Sequence, residues 1–178
     1  MPIIKSTSRK SGYFRQPIKY ILKPQRLPTW TLLHNIDANP TDHEAIITEF
    51  QEHYDQFHSK HGNAVAMYHE IIAFSELDQG TLLQYPHIME DLAREYLHRR
   101  TTGLAIAYPH FDKHPHVHIL LSQNQYHSSK SIRISQTRFS KLKKEIEQIQ
   151  QERYPELVHS RIEKQSNQEN DQSLKLEI

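Results

Sequence analysis

Cysteine is absent from this 178-residue sequence, which excludes a disulfide scaffold and any thiolate-held zinc, haem or iron–sulfur centre. Glycine is scarce, at 4 residues, so the chain is not collagen-like. No apolar run reaches the roughly 18 residues that a membrane span needs, so membrane insertion is not expected. No basic segment followed by an apolar core opens the chain, which leaves a cytoplasmic protein as the expectation. Net charge is also small, at +1. The length fits one domain over residues 1–160 and a disordered polar tail over 161–178.

Histidine, in contrast, is plentiful, with 14 residues. Imidazole is the commonest protein ligand for metals and titrates near neutrality. The small net charge also hides a strong asymmetry. Residues 1–26 carry Lys5, Arg9, Lys10, Arg15, Lys19, Lys23 and Arg26 with no acid, so +7 sits on them and −6 on the rest. A second acid-free block holds Lys130, Arg133, Arg138, Lys141, Lys143 and Lys144. Two such blocks in a near-neutral chain point to localised binding of a polyanion, and nucleic acid is the obvious one.

Residues 2–7 read as a short strand, and Gly12 to Lys23 as a short helix with Pro17 in its first turn. Residues 24–40 read as loop, with Trp30 to Leu33 extended. Thr41 and Glu44 match a capping box, and Ile46, Ile47, Phe50, Tyr54 and Phe57 follow at helical spacing, predicting a helix over 42–59. Residues 64–75 read as a buried strand. The spacing of Leu82, Tyr85, Met89, Leu92 and Tyr96 predicts one helix over 81–100. Two apolar runs, Gly103 onward and His116 onward, form a hairpin that bends at Asp112 to Pro115. Ser135 caps a last helix that ends before Pro155, and polar sequence without periodicity follows from Lys164. The class is α+β, a central antiparallel sheet covered by helices.

The stretch His110-Phe-Asp-Lys-His-Pro-His-Val-His118 carries the chemistry. His116 and His118 stand two apart on a strand, so their rings share one face, while Val117, Ile119 and Leu121 point to the other. A third imidazole on the facing strand, His110, completes a three-histidine site with open positions for substrate oxygen. His114 has the parity of His116 and is the alternative third ligand. Asp112 is placed to orient a ligating ring from behind. With cysteine missing, tyrosine in a basic setting is the nucleophile candidate, and Tyr13 and Tyr20 both lie in the +7 segment.

His116-Val117-His118 is a histidine–hydrophobic–histidine motif. Together with His110-Phe-Asp112 before it and Ile-Leu-Leu after it, it resembles the third motif of the relaxases, the mobilisation-type nickases among the HUH endonucleases. Tyr20-Ile21-Leu22 resembles the tyrosine step of their N-terminal helix, which Tyr13-Phe14 does not match. The run from Tyr68 to Ser75 resembles their central strand, where Glu70 and His69 are equal candidates for an assisting role. The resemblance spans residues 1–155.

It implies metal-dependent, tyrosine-mediated nicking and rejoining of single-stranded DNA at a transfer origin. Tyr20 attacks the scissile phosphorus, and the ion rests on His110, His116 and His118. The DNA backbone lies on Lys5, Arg9, Lys10, Arg15, Lys19 and Lys23, with Arg133 and Lys141 from the second block. Mg or Mn suits the phosphate, while the all-nitrogen ligand set also takes Zn, Co or Ni in vitro. Accessory mobilisation proteins and a coupling protein are the further partners implied. Beside a histidine-based metallohydrolase acting on a small molecule, against which the basic N-terminus and the missing Asp or Glu ligands argue, two rival readings remain at this point. One is a replication initiator or transposase using Tyr126 or Tyr154, C-terminal to the motif. The other is a DNA-binding module with a degenerate site.

Overall fold

The computed structural model describes residues 3–10, 12–23, 30–58 and 64–160. The tail expected over 161–178 lies outside them. Among the described residues five strands form one sheet: β1 (Ile3–Arg9), β2 (Leu32–His34), β3 (Met67–Ala73), β4 (Gly103–His110) and β5 (His116–Gln125). Their order is β1-β3-β5-β4-β2, and every neighbouring pair is antiparallel. The helices are α1 (Arg15–Ile21), α2 (His43–Phe57), α3 (Gln79–Gln84), α4 (His87–Arg100) and α5 (Gln136–Arg153). This is the expected α+β class, with helices on both sheet faces.

The two faces follow from period-two alternation along the central strands. On one side Ala105, Ala107, Val117, Ile119 and Leu121 pack in a core with Met89, Leu92, Ala93 and Tyr96 of α4 and Leu142 and Ile146 of α5. On the other, Leu104, Ile106, Tyr108 and Leu120 pack with Ile18 and Ile21 of α1 and Ile46, Ile47 and Phe50 of α2. Strands β4 and β5 are therefore buried on both faces for most of their length.

Two local expectations are corrected. The helix expected over 81–100 is two helices, α3 and α4, broken at Tyr85-Pro86. Proline lacks an N–H and drives the residue before it out of helical geometry, and Tyr85 has φ −125 and ψ 67. Tyr85 consequently leaves the apolar face and is 43% exposed. Helix α2 is capped by Asp42, whose carboxylate accepts from the Ala45 N–H at 2.9 Å, rather than by the Thr41–Glu44 box. Thr41 instead donates its hydroxyl to Asn39, and Glu44 turns to α1.

Candidate metal centre and active site

The β4–β5 hairpin pairs His110 with His116 and Tyr108 with His118. The turn between them is held by Asp112, whose Oδ1 accepts from the His114 N–H at 3.0 Å. Register and parity put three rings together on the face covered by α1 and α2. Ring centroids are 5.0 Å apart for His110–His116 and 4.6 Å for both His110–His118 and His116–His118. One nitrogen of each ring lies within 4.8 Å of the others. His114 stays outside this group: its side chain is 69% exposed and faces Glu76 at 3.7 Å.

Each triad ring is anchored behind by one nitrogen. His110 donates Nε2–H to the Ile21 carbonyl at 3.1 Å, and His116 donates Nδ1–H to the His114 carbonyl at 2.8 Å. A carbonyl only accepts, so these nitrogens carry the hydrogens. Nδ1 of His118 meets Nε2 of His69 at 2.9 Å. The nitrogens left over are Nδ1 of His110 and Nε2 of His116 and His118, and the last two are 3.1 Å apart. Two imidazole nitrogens on one tetrahedral ion are separated by roughly 3.3 Å. The donor set and its spacing therefore fit a divalent cation.

The protonation states fit as well. Burial, and then the neighbouring His116, His110 and His69, lower the pKa of His118 to about 3. Burial also lowers His110, against the raising effect of its bond to the Ile21 carbonyl. His69 is lowered by burial and then by Arg9. These rings are neutral near pH 7, the form that binds a metal.

Asp112 stands 3.6 Å from Nδ1 of His116, behind the closer His114 carbonyl. His69 and Glu70, equal candidates in the sequence, separate onto opposite sheet faces. His69 joins the triad. Glu70 is fully buried on the α4 side, where it accepts from Arg100, from the Tyr96 hydroxyl at 2.6 Å and from Ser6 at 2.8 Å. Strand parity is the signal that separates them in the sequence.

Tyr20, on the last turn of α1, is 62% exposed, and its ring centroid is 5.7 Å from that of His118. Tyr126 stacks with His53 beyond the far end of β5, eight residues or about 26 Å of extended chain past His118. Tyr154 follows α5 in the opposite layer, bonded to Asp91, with its pKa pushed up to about 12 chiefly by burial.

The basic residues divide. Lys5 pairs with Ile71, which pairs with His118, so Lys5 shares the lateral row of a triad residue two strands away. Arg9 lies further along the same face of β1. Lys5, Arg9, Lys10 and Lys23 are all exposed. Arg15 and Lys19 both reach Glu44 of α2 at 2.8 Å, a contact that the sequence reading missed. Lys141 sits on α5 and Arg133 on the loop before it, in the layer across the sheet from the triad.

No curated protein matches this chain. A solved structure, reported as the molecular basis of vancomycin resistance transfer in Staphylococcus aureus, is similar to it with a TM-score of 0.60 and 16% identity. The match covers 93% of this chain and 99% of that one, and at such identity it speaks for the fold. Among the described residues no helix is long and apolar enough to cross a membrane. The family model for relaxases, MobA/VirD2-like, nuclease domain, matches residues 20–154, from the tyrosine of α1 to the end of α5, and the chain belongs to that family.

Proposed function

We propose that this chain nicks and rejoins single-stranded DNA at a transfer origin, with Tyr20 as nucleophile and a divalent ion held by His110, His116 and His118. The observation that carries the reading is the Tyr20 ring, exposed and 5.7 Å from the ring of His118, beside a triad in which one nitrogen of each ring lies within 4.8 Å of the others.

The Tyr20 hydroxyl oxygen attacks the scissile phosphorus, and the bond from phosphorus to the 3′ oxygen breaks. The products are a 5′-phosphotyrosine and a free 3′-hydroxyl. One phosphodiester replaces another, so the step needs no ATP and the 3′-hydroxyl can reverse it. When bound, the ion supplies Lewis-acid stabilisation of the charge on a non-bridging phosphate oxygen. Mg or Mn is the working ion in this reading, with Zn, Co or Ni as tight in-vitro occupants. Asp112 acts from the turn, steadying His116 or taking a proton.

Lys5, Arg9, Lys10 and Lys23 hold backbone phosphates on the triad face, joined by Arg15 and Lys19 once DNA displaces Glu44. Arg133 and Lys141 take part where the strand passes round the sheet edge. Residues 1–160 form the nuclease domain. The protein works in the cytoplasm, with accessory mobilisation proteins and a coupling protein as partners.

The test uses labelled single-stranded oligonucleotides tiling the DNA around the gene, with and without Mn, and a denaturing gel for protein–DNA adducts. Wild-type protein should form a Mn-dependent adduct, and Tyr20→Phe should bind DNA but form none. Persistent adducts in Tyr20→Phe would overturn the assignment of the nucleophile. Salt-sensitive binding without any adduct, in a protein that takes up no metal, would favour a DNA-binding module.

A further inference from the structure

We infer that His110 links metal loading to placement of the nucleophile, by capping the helix that carries Tyr20. The inference rests on the proposed metal centre and concerns what the second nitrogen of one ligand does.

Helix α1 is seven residues long, and its N-cap residue, Phe14, makes no side-chain cap bond. A helix of that length is not stable on its own. Ile18 and Ile21 bury one side of it, whereas Tyr20 points outward and is held by little packing of its own. The last carbonyls of a helix have no partner within it. The Ile18 carbonyl is satisfied by the Leu22 N–H at 2.9 Å. The Ile21 carbonyl, next in the chain to Tyr20, is satisfied by Nε2–H of His110 at 3.1 Å. Helix α1 is thus closed at its C-terminus by a side chain from β4, 89 residues away.

That cap exists only in one tautomer. With its hydrogen on Nε2, His110 donates to the carbonyl. With the hydrogen on Nδ1, a lone pair faces the carbonyl oxygen and the cap is lost. Nδ1 is also the nitrogen left for an ion. Coordination there excludes a hydrogen from Nδ1, makes the capping tautomer the sole one, and strengthens the remaining N–H as a donor. The same ring therefore reports the ion to the last turn of α1. Loaded protein keeps the cap in every molecule, whereas metal-free protein shares it with the uncapped tautomer, so the last turn of α1 and Tyr20 are held less firmly. His110 acts here as a positioning residue in addition to a ligand.

The experiment measures backbone amide exchange by mass spectrometry on the peptide covering α1, with Mn, with Zn and with chelator, while calorimetry reports metal uptake separately. In wild-type protein either ion should slow exchange of this peptide by about fivefold or more, with peptides of α5 as the unchanged reference. His116→Ala removes a ligand and leaves His110 free to change tautomer, so its α1 exchange should match metal-free wild-type and ignore added ion. His110→Gln keeps a donor near the Nε2 position without the ligand nitrogen, and should protect α1 regardless of metal. His110→Ala should leave α1 unprotected in every condition. Metal uptake by wild-type protein with no change in α1 exchange would overturn the inference and leave the metal centre standing. So would His110→Ala with wild-type protection. Absence of metal uptake in wild-type protein would overturn the metal centre and the inference together.

Discussion

Nε2 of His69 lies 2.9 Å from Nδ1 of His118, so the ring directly behind the most buried triad residue is a second imidazole rather than a carboxylate. One ring donates and the other accepts. With His118 offering Nε2 to an ion, Nδ1–H of His118 donates and His69 accepts, which fixes the orientation of the ligand ring.

From this contact follows the first prediction. Loss of an outer partner typically costs 10–100-fold in metal affinity. His69→Leu should therefore weaken Mn binding about tenfold or more by calorimetry, with little change in melting temperature. His69→Gln, whose amide oxygen still accepts, should retain most of the affinity. Equal affinities for wild-type and His69→Leu would remove His69 from the centre.

The buried pair on the other face predicts a stability effect instead. Arg100 and Glu70 have side chains 2% and 0% exposed, and the Arg100 guanidinium also bonds to the Ile132 carbonyl. Removing one partner leaves an uncompensated buried charge, so Arg100→Ala should cost about 3–5 kcal/mol in urea unfolding. Replacing both residues by apolar side chains of similar volume should recover part of that loss. An effect under about 1 kcal/mol would show that the pair is not desolvated as described.

Acid should destabilise the metal-free protein through the triad. The folded pKa of His118, about 3, lies below the ordinary 6.5, so the unfolded chain takes up a proton that the folded one refuses. The associated stability is complete above pH 6.5 and is lost as pH falls from there toward 3. One such group contributes a slope of at most about 1.4 kcal/mol per pH unit. Urea unfolding with chelator at pH 7.5, 6 and 5 should show a flatter pH dependence for His118→Leu than for wild-type protein. Parallel slopes would contradict the burial of a neutral His118.

Glu44 holds Arg15 and Lys19, two cations expected to hold DNA. All three are more than a third exposed, so solvent screens the contacts and DNA can displace them readily. Glu44→Ala should free both cations and tighten single-stranded DNA binding by a few-fold, with a steeper salt dependence in fluorescence anisotropy. Weaker binding in Glu44→Ala would mean that the contact serves chiefly to hold α1 on α2.

Much of this was legible in the sequence because it depends on local pattern. The parity of His116 and His118, the bend at Asp112 to Pro115 and the Ser135 cap of α5 appear where spacing places them. Other features depend on contacts remote in sequence. Glu70 meets Arg100 thirty residues on, and no periodicity announces it. The cap of α1 comes from β4, and Glu44 leaves its own helix cap for cations on α1. The break at Pro86 is equally local, but the helical spacing on either side of it points the other way.

The most direct test of the account is mass spectrometry of the peptide that carries DNA after reaction with the cognate single strand and Mn. The account predicts a nucleotide on Tyr20, absent when chelator replaces the metal. A nucleotide on Tyr126 or Tyr154 would contradict it and move the chemistry away from the triad.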